Sequence, residues 1–168
     1  MTYKKPITFE AMKAATIIEI KRELGTQESV KLAELCLRLA KYKKDNKEML
    51  TYLLLEADNE TSYIESVKQE IEDQFQAIPN PNLYYVKKSL RKILRMVNKQ
   101  IRYSGLPQTD LEIRIHYCKT LKNSPIPLSK SPVISNLYQQ QIKKIKKALA
   151  GLPEDLQYDY QRDVDQLS

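Results

Sequence analysis

The sequence predicts an all-α protein: a multi-helix bundle or a short, solenoid-like stack of α-α hairpins, with about seven to eight helices. Three observations carry this expectation. Apolar residues recur at helical rather than alternating spacing along most of the chain. Glycine is scarce, and each of the three, Gly25, Gly105 and Gly151, stands where a helical pattern stops. Between the patterns lie capping and breaking residues at short intervals. Strand signals are weak, and the brief alternation from Ile113 to Tyr117 sits inside a helical frame.

In chain order, a first helix is expected from Thr8 to Leu24, stopped by a left-handed Gly25. A second runs from Glu28 to Lys43. Its polar residues Lys31, Glu34, Arg38 and Lys41 form one stripe, and Val30, Leu32, Leu35, Leu37 and Leu39 help cover the rest. A helix apolar around most of its girth belongs at the centre of a fold. Asp45-x-x-Glu48 has the spacing of a capping box opening a third helix, and Asn59 to Ser62 breaks it and caps a fourth, ending near Ile78. Asn80 is expected to cap a fifth helix with Pro81 at its first position, and that helix ends at Gly105. Thr109-x-x-Glu112 spells another box for the sixth. Residues 123–133 hold three prolines and three serines and read as an irregular connector. Ser131-Pro132 starts a seventh helix ending at Gly151. Pro153 starts a short acidic eighth, with Leu156, Tyr160 and Val164 as its contact face. A weak internal echo relates Asn82-Leu-Tyr84 to Asn136-Leu-Tyr138.

At 168 residues, 42% hydrophobic and 29% charged, the chain reads as a single helical domain over residues 1–168, large enough for a core without disulfide or metal. Cys36 and Cys118 fall in apolar helical patterns, as reduced cytosolic thiols do. The most apolar stretch near the start, Ala14 to Ile20, is cut short by Glu19 and Lys21-Arg-Glu23, far below the roughly 18 apolar residues of a membrane span. A cytoplasmic protein without a membrane partner is therefore expected.

Net charge is +7 and is unevenly placed. Residues 1–73 carry 12 basic and 14 acidic side chains, residues 74–153 carry 15 and 2, and residues 154–168 carry one and five. On the fifth helix, Lys88, Arg91, Lys92, Arg95, Lys99 and Arg102 fall within an arc of roughly 100° and a length of about 20 Å. Val86, Leu90, Ile93, Leu94, Val97 and Ile101 occupy the opposite arc. Like charges at helical neighbours cost a few tenths of a kcal/mol per pair, so six together call for an offset. One offset is a polyanion, its phosphates met by the cations and its bases by Tyr84, with Tyr85 and Tyr103 flanking. Lys143, Lys146 and Lys147 of the seventh helix extend this surface if the two helices lie side by side, Lys144 being nearer the apolar edge. The other offset is internal, with Glu65, Glu70, Glu72 and Asp73, or the acidic C-terminal helix, covering the ridge. Tyr52, Tyr117 and Tyr138 are expected core anchors.

Catalytic chemistry finds no support in these residues. His116, the single histidine, falls on the polar side of its helix, and Cys118 points elsewhere, so no Cys–His dyad forms. Two Cys and one His do not make an ordinary structural zinc site. No glycine cluster can cradle a phosphate. Neither a metal nor a cofactor is expected. The reading is a non-enzymatic helical interaction or scaffold module whose partner is a protein or a second copy of itself. The alternative is nucleic-acid or polyanion binding through residues 88–102 with 143–147.

Overall fold

The computed structural model of the protein describes residues 13–79 and 82–167. Among them are eight α-helices and no strand, an all-α multi-helix architecture. The chain separates into two compact units, residues 1–47 and 48–168.

The first unit holds α1 (Ile17–Leu24), α2 (Ser29–Tyr42) and the start of α3 (Lys44–Thr51). The helix expected from Thr8 begins only at Ile17; residues 8–12 lie outside the described residues. The reason is local. Thr16 caps α1 in a full capping box, accepting from the Glu19 N–H at 3.3 Å while Glu19 accepts from the Thr16 N–H at 2.7 Å. Gly25 has φ −65°, so its left-handed freedom is not used there. Extended backbone at Lys43 separates α2 from α3, which starts at Lys44 and leaves Asp45 in the first turn rather than at the cap.

The expectation that α2 is central is overturned: none of its residues is buried. Val30, Leu37 and Leu39 are exposed, as is Cys36. A unit of residues 1–47 is marginal in size for closing a core of its own.

In the second unit, α3 ends in a π-turn at Tyr52–Glu56, closed by the Ala57 N–H donating to the Tyr52 carbonyl at 2.9 Å. There follow α4 (Glu60–Gln76), α5 (Leu83–Ser104), α6 (Pro107–Asn123), a 3-10 turn at Leu128–Lys130, α7 (Pro132–Ala150) and α8 (Glu154–Asp165). The central helix is α6, which packs on α4, α5 and α7. Leu111, Ile113, Ile115, Tyr117, Cys118 and Leu121 are all buried on it. The alternation from Ile113 to Tyr117 is the signature of this position: residues two apart point to nearly opposite sides of a helix, and here neighbours cover both. Tyr52, Tyr117 and Tyr138 are buried as expected. So are the six apolar residues of α5 from Val86 to Ile101, each contributing about 1.5–3 kcal/mol. Val164 is buried on α8, with Leu156 and Tyr160 packed against the same core.

Several caps differ from expectation. Asn80 and Pro81 lie outside the described residues, and α5 is capped by Asn82, whose side chain accepts from the Tyr84 N–H at 2.9 Å. Asn136, its counterpart in the sequence echo, lies inside α7, so the echo joins residues in different structural positions. Gly105 alone among the described residues has positive φ, at 69°, and the chain turns at once into Pro107 at the first position of α6. Thr109 is therefore within the helix and buried, not a cap. α7 begins at Pro132 as expected, although the Ser131 hydroxyl makes no cap bond.

Glu60 gathers the ends of these elements. Its carboxylate accepts from the hydroxyls of Tyr52 at 2.7 Å, Ser104 at 2.5 Å and Thr109 at 2.5 Å. Burial acts to raise its pKa, but the three hydroxyl bonds prevail and hold it below the ordinary 4.5. A depressed carboxyl pKa means the folded state releases its proton more readily than the unfolded one. The stabilisation is thus full above the unfolded pKa and lost as pH falls through the folded one. Glu60→Gln is expected to lower stability at neutral pH by about 1–3 kcal/mol. It also flattens the loss seen below about pH 4.5 in urea titrations; an unchanged acid limb would refute the assignment.

Candidate functional site

Helix α5 carries the predicted cationic face because its opposite arc is claimed by the core. Lys88, Arg91, Lys92, Arg95 and Arg102 are exposed. Among the described residues no carboxylate makes an ion pair with any of these five. Lys99 differs: it is half-buried, with its Nζ 2.6 Å from Glu48 on α3. The same Glu48 accepts from the Tyr103 hydroxyl at 2.9 Å. Lys99 is thus committed to an intramolecular pair, and buried Tyr103 is not a ligand-facing ring. Both corrections follow from α3 supplying a carboxylate that sequence spacing does not reveal.

The acidic residues expected as internal cover lie elsewhere. Glu65 pairs with Lys68 at 2.7 Å, Glu70 accepts from Gln74, Asp73 accepts from Gln69, and Asp163 pairs with Lys119 at 2.8 Å. Glu72 approaches His116 Nε2 at 3.1 Å without hydrogen-bond geometry. His116 is mostly covered rather than a surface residue, and burial lowers its pKa against the opposing charge of Glu72. Around it, Tyr160 donates to Glu112 at 2.5 Å and Lys68 reaches Glu112 at 3.4 Å, joining α8, α6 and α4. Burial pushes the Cys118 thiol up to about 12, which keeps it a thiol at neutral pH. Among the described residues no three His, Cys, Asp or Glu side chains gather to hold a metal ion. No helix there is long and apolar enough to cross a membrane.

Tyr84 and Tyr85 are exposed at the start of α5, 65% and 51%, with ring centroids 5.4 Å apart at 80°. That exposure leaves ring surface open at the end of the cationic face.

The condition that α5 and α7 lie side by side is not met along their length. Both pack on α6, and they come together at their C-terminal ends. There Ile101 and Arg102 of α5, Gly105, Leu106, Pro107 and Asp110, and Lys144, Lys147, Ala148 and Gly151 line an open groove of about 610 Å³. Lys143 and Lys146 are exposed on α7 but do not line it, whereas exposed Lys144 does. Sequence reasoning set Lys144 near the apolar edge. Its spacing of three from Lys147 was the signal that puts both on one side.

Buried Arg114 locks this arrangement. From α6 it donates to Asp110 through Nε, to Asn98 of α5 at 3.0 Å and to Gln141 of α7 at 2.7 Å. The fold and this face define an all-α multi-helix protein with an uncovered basic helix surface. Compared with known proteins, the chain matches no family model, no curated protein and no solved structure.

Proposed function

We propose that the protein is a non-enzymatic interaction module of the cytoplasm whose N-terminal helices close their apolar surface against a second copy of the chain. One observation carries this reading: α2 has no buried residue although it is rich in leucine. Val30 is 70% exposed and Leu37 55%, and seven residues apart they share one face of the helix. Ile17 and Ile18 of α1 are exposed as well. Short helical segments that bury too little of their own surface are commonly completed by oligomerisation, and contiguous exposed apolar surface marks association sites. The two free cysteines accord with a reducing compartment.

Sedimentation velocity tests the proposal. Wild-type protein is expected to dimerise with rising concentration. Val30→Glu with Leu37→Glu, both at exposed positions on one face of α2, is expected to leave monomers of unchanged helicity. A wild-type protein that stays monomeric throughout refutes self-association.

A second reading rests on its own observation. The five uncovered cations of α5 form a face suited to the phosphates of a nucleic acid, with Tyr84 beside it. Lys99 takes no part.

A further inference from the structure

The groove at the shared end of α5 and α7 adds a feature that the ridge alone lacks. Arg102, Lys144 and Lys147, from two helices, converge on it, and all three are exposed. Its wall includes the apolar side chains of Ile101, Leu106 and Ala148. The one acid in it, Asp110, is held by Arg114, which offsets its charge. Like charges brought together from separate helices repel, and here no carboxylate among the described residues is ion-paired to them.

We infer that this groove is the subsite where the backbone of a single-stranded nucleic acid passes from α5 onto α7, its phosphates held by Arg102, Lys144 and Lys147. The inference rests on the second reading above and deepens it. The openness of the groove suits a continuing polymer rather than an enclosed small molecule. Its position completes a track: Arg102 lies at the opposite end of α5 from Tyr84 and Tyr85, about 27 Å away at 1.5 Å per residue. A strand laid along α5 thus meets aromatic rings at one end and the cationic groove at the other. Unpaired bases can stack on exposed rings, whereas those of a duplex are already stacked on one another, which favours the single strand. Apolar groove walls beside the cations give the sugars a surface to pack on.

The test is fluorescence anisotropy of the full chain with a labelled oligo-dT of about 12 nucleotides, within the span of known single-strand sites. Lys144→Glu with Lys147→Glu is expected to weaken binding at least tenfold. It should also lower the slope of log affinity against log salt by about 1.4, the value for two phosphate contacts to a single strand. Circular dichroism confirms that helicity is retained. Wild-type affinity and slope in this variant, with binding lost in Arg91→Glu plus Arg95→Glu, would overturn the groove and leave the ridge standing. No binding by wild-type protein would overturn both. Equal affinity for the matching duplex would overturn the single-strand assignment, and equally effective displacement by poly-glutamate would overturn nucleic acid as the class.

Discussion

Replacing Arg114 by alanine is expected to destabilise the second unit by about 3–5 kcal/mol, the range for breaking a buried charge pair on one side. The guanidinium is almost wholly covered, its side chain 7% exposed. Three acceptors on three helices depend on it: Asp110, Asn98 and Gln141. Alanine removes five donors and leaves a partly covered carboxylate and two amides without their partner. Urea unfolding followed by circular dichroism reads the change. Lysine at the same place keeps the charge but not the planar fork, so Arg114→Lys should fall between wild type and alanine. Changing Arg114, Asp110 and Gln141 together to apolar residues of similar volume should recover most of the loss. A loss below about 1 kcal/mol for Arg114→Ala would show that the network holds nothing together.

Reversing Arg91, Lys92 and Arg95 to Glu is the second large effect. It turns the middle of the ridge from three positive charges to three negative ones. Binding of the oligonucleotide should fall by more than about 100-fold in low salt, and the salt slope should drop by about 2, from three contacts at roughly 0.7 each. Helicity should persist, because all three side chains are exposed. Lys99→Met is the contrasting variant. Its ammonium already sits on Glu48, so binding should change little while stability declines. If Lys99→Met abolishes binding and the triple reversal does not, the ridge has been assigned to the wrong residues.

Much of this structure can be read from residue spacing, and particular residues show why. Val86, Leu90, Ile93, Leu94, Val97 and Ile101 lie on one arc of α5 and are all buried, because a long amphipathic helix has one orientation that hides its apolar side. The same rule reversed exposes Lys88, Arg91, Lys92 and Arg95. Tyr52, Tyr117 and Tyr138 are in the core, although the Tyr117 hydroxyl finds no hydrogen-bond partner among the described residues. The start of α1 differs from the expected Thr8, because Thr16 and Glu19 form the capping box that opens it.

Spacing along the chain failed where a decision depended on distant residues. Periodicity says how apolar a helix is but not whether anything covers it. By that measure α2 looks central, yet none of its residues is buried, while α6 forms the middle of the second unit. Thr109 fits a capping box, yet Gly105 and Pro107 start α6 earlier and send its hydroxyl to Glu60.

What the sequence determined by itself is the all-α class, the main helical segments and the sidedness of α5, since each follows from local backbone preference and a 3.6-residue period. Tertiary structure alone decided that Glu48 takes Lys99, that Arg114 ties α5 to α7 through α6, and that Arg102, Lys144 and Lys147 share a groove. These are contacts between side chains far apart in the chain, and their free energy depends on the approach of whole helices, which no local pattern of residues encodes.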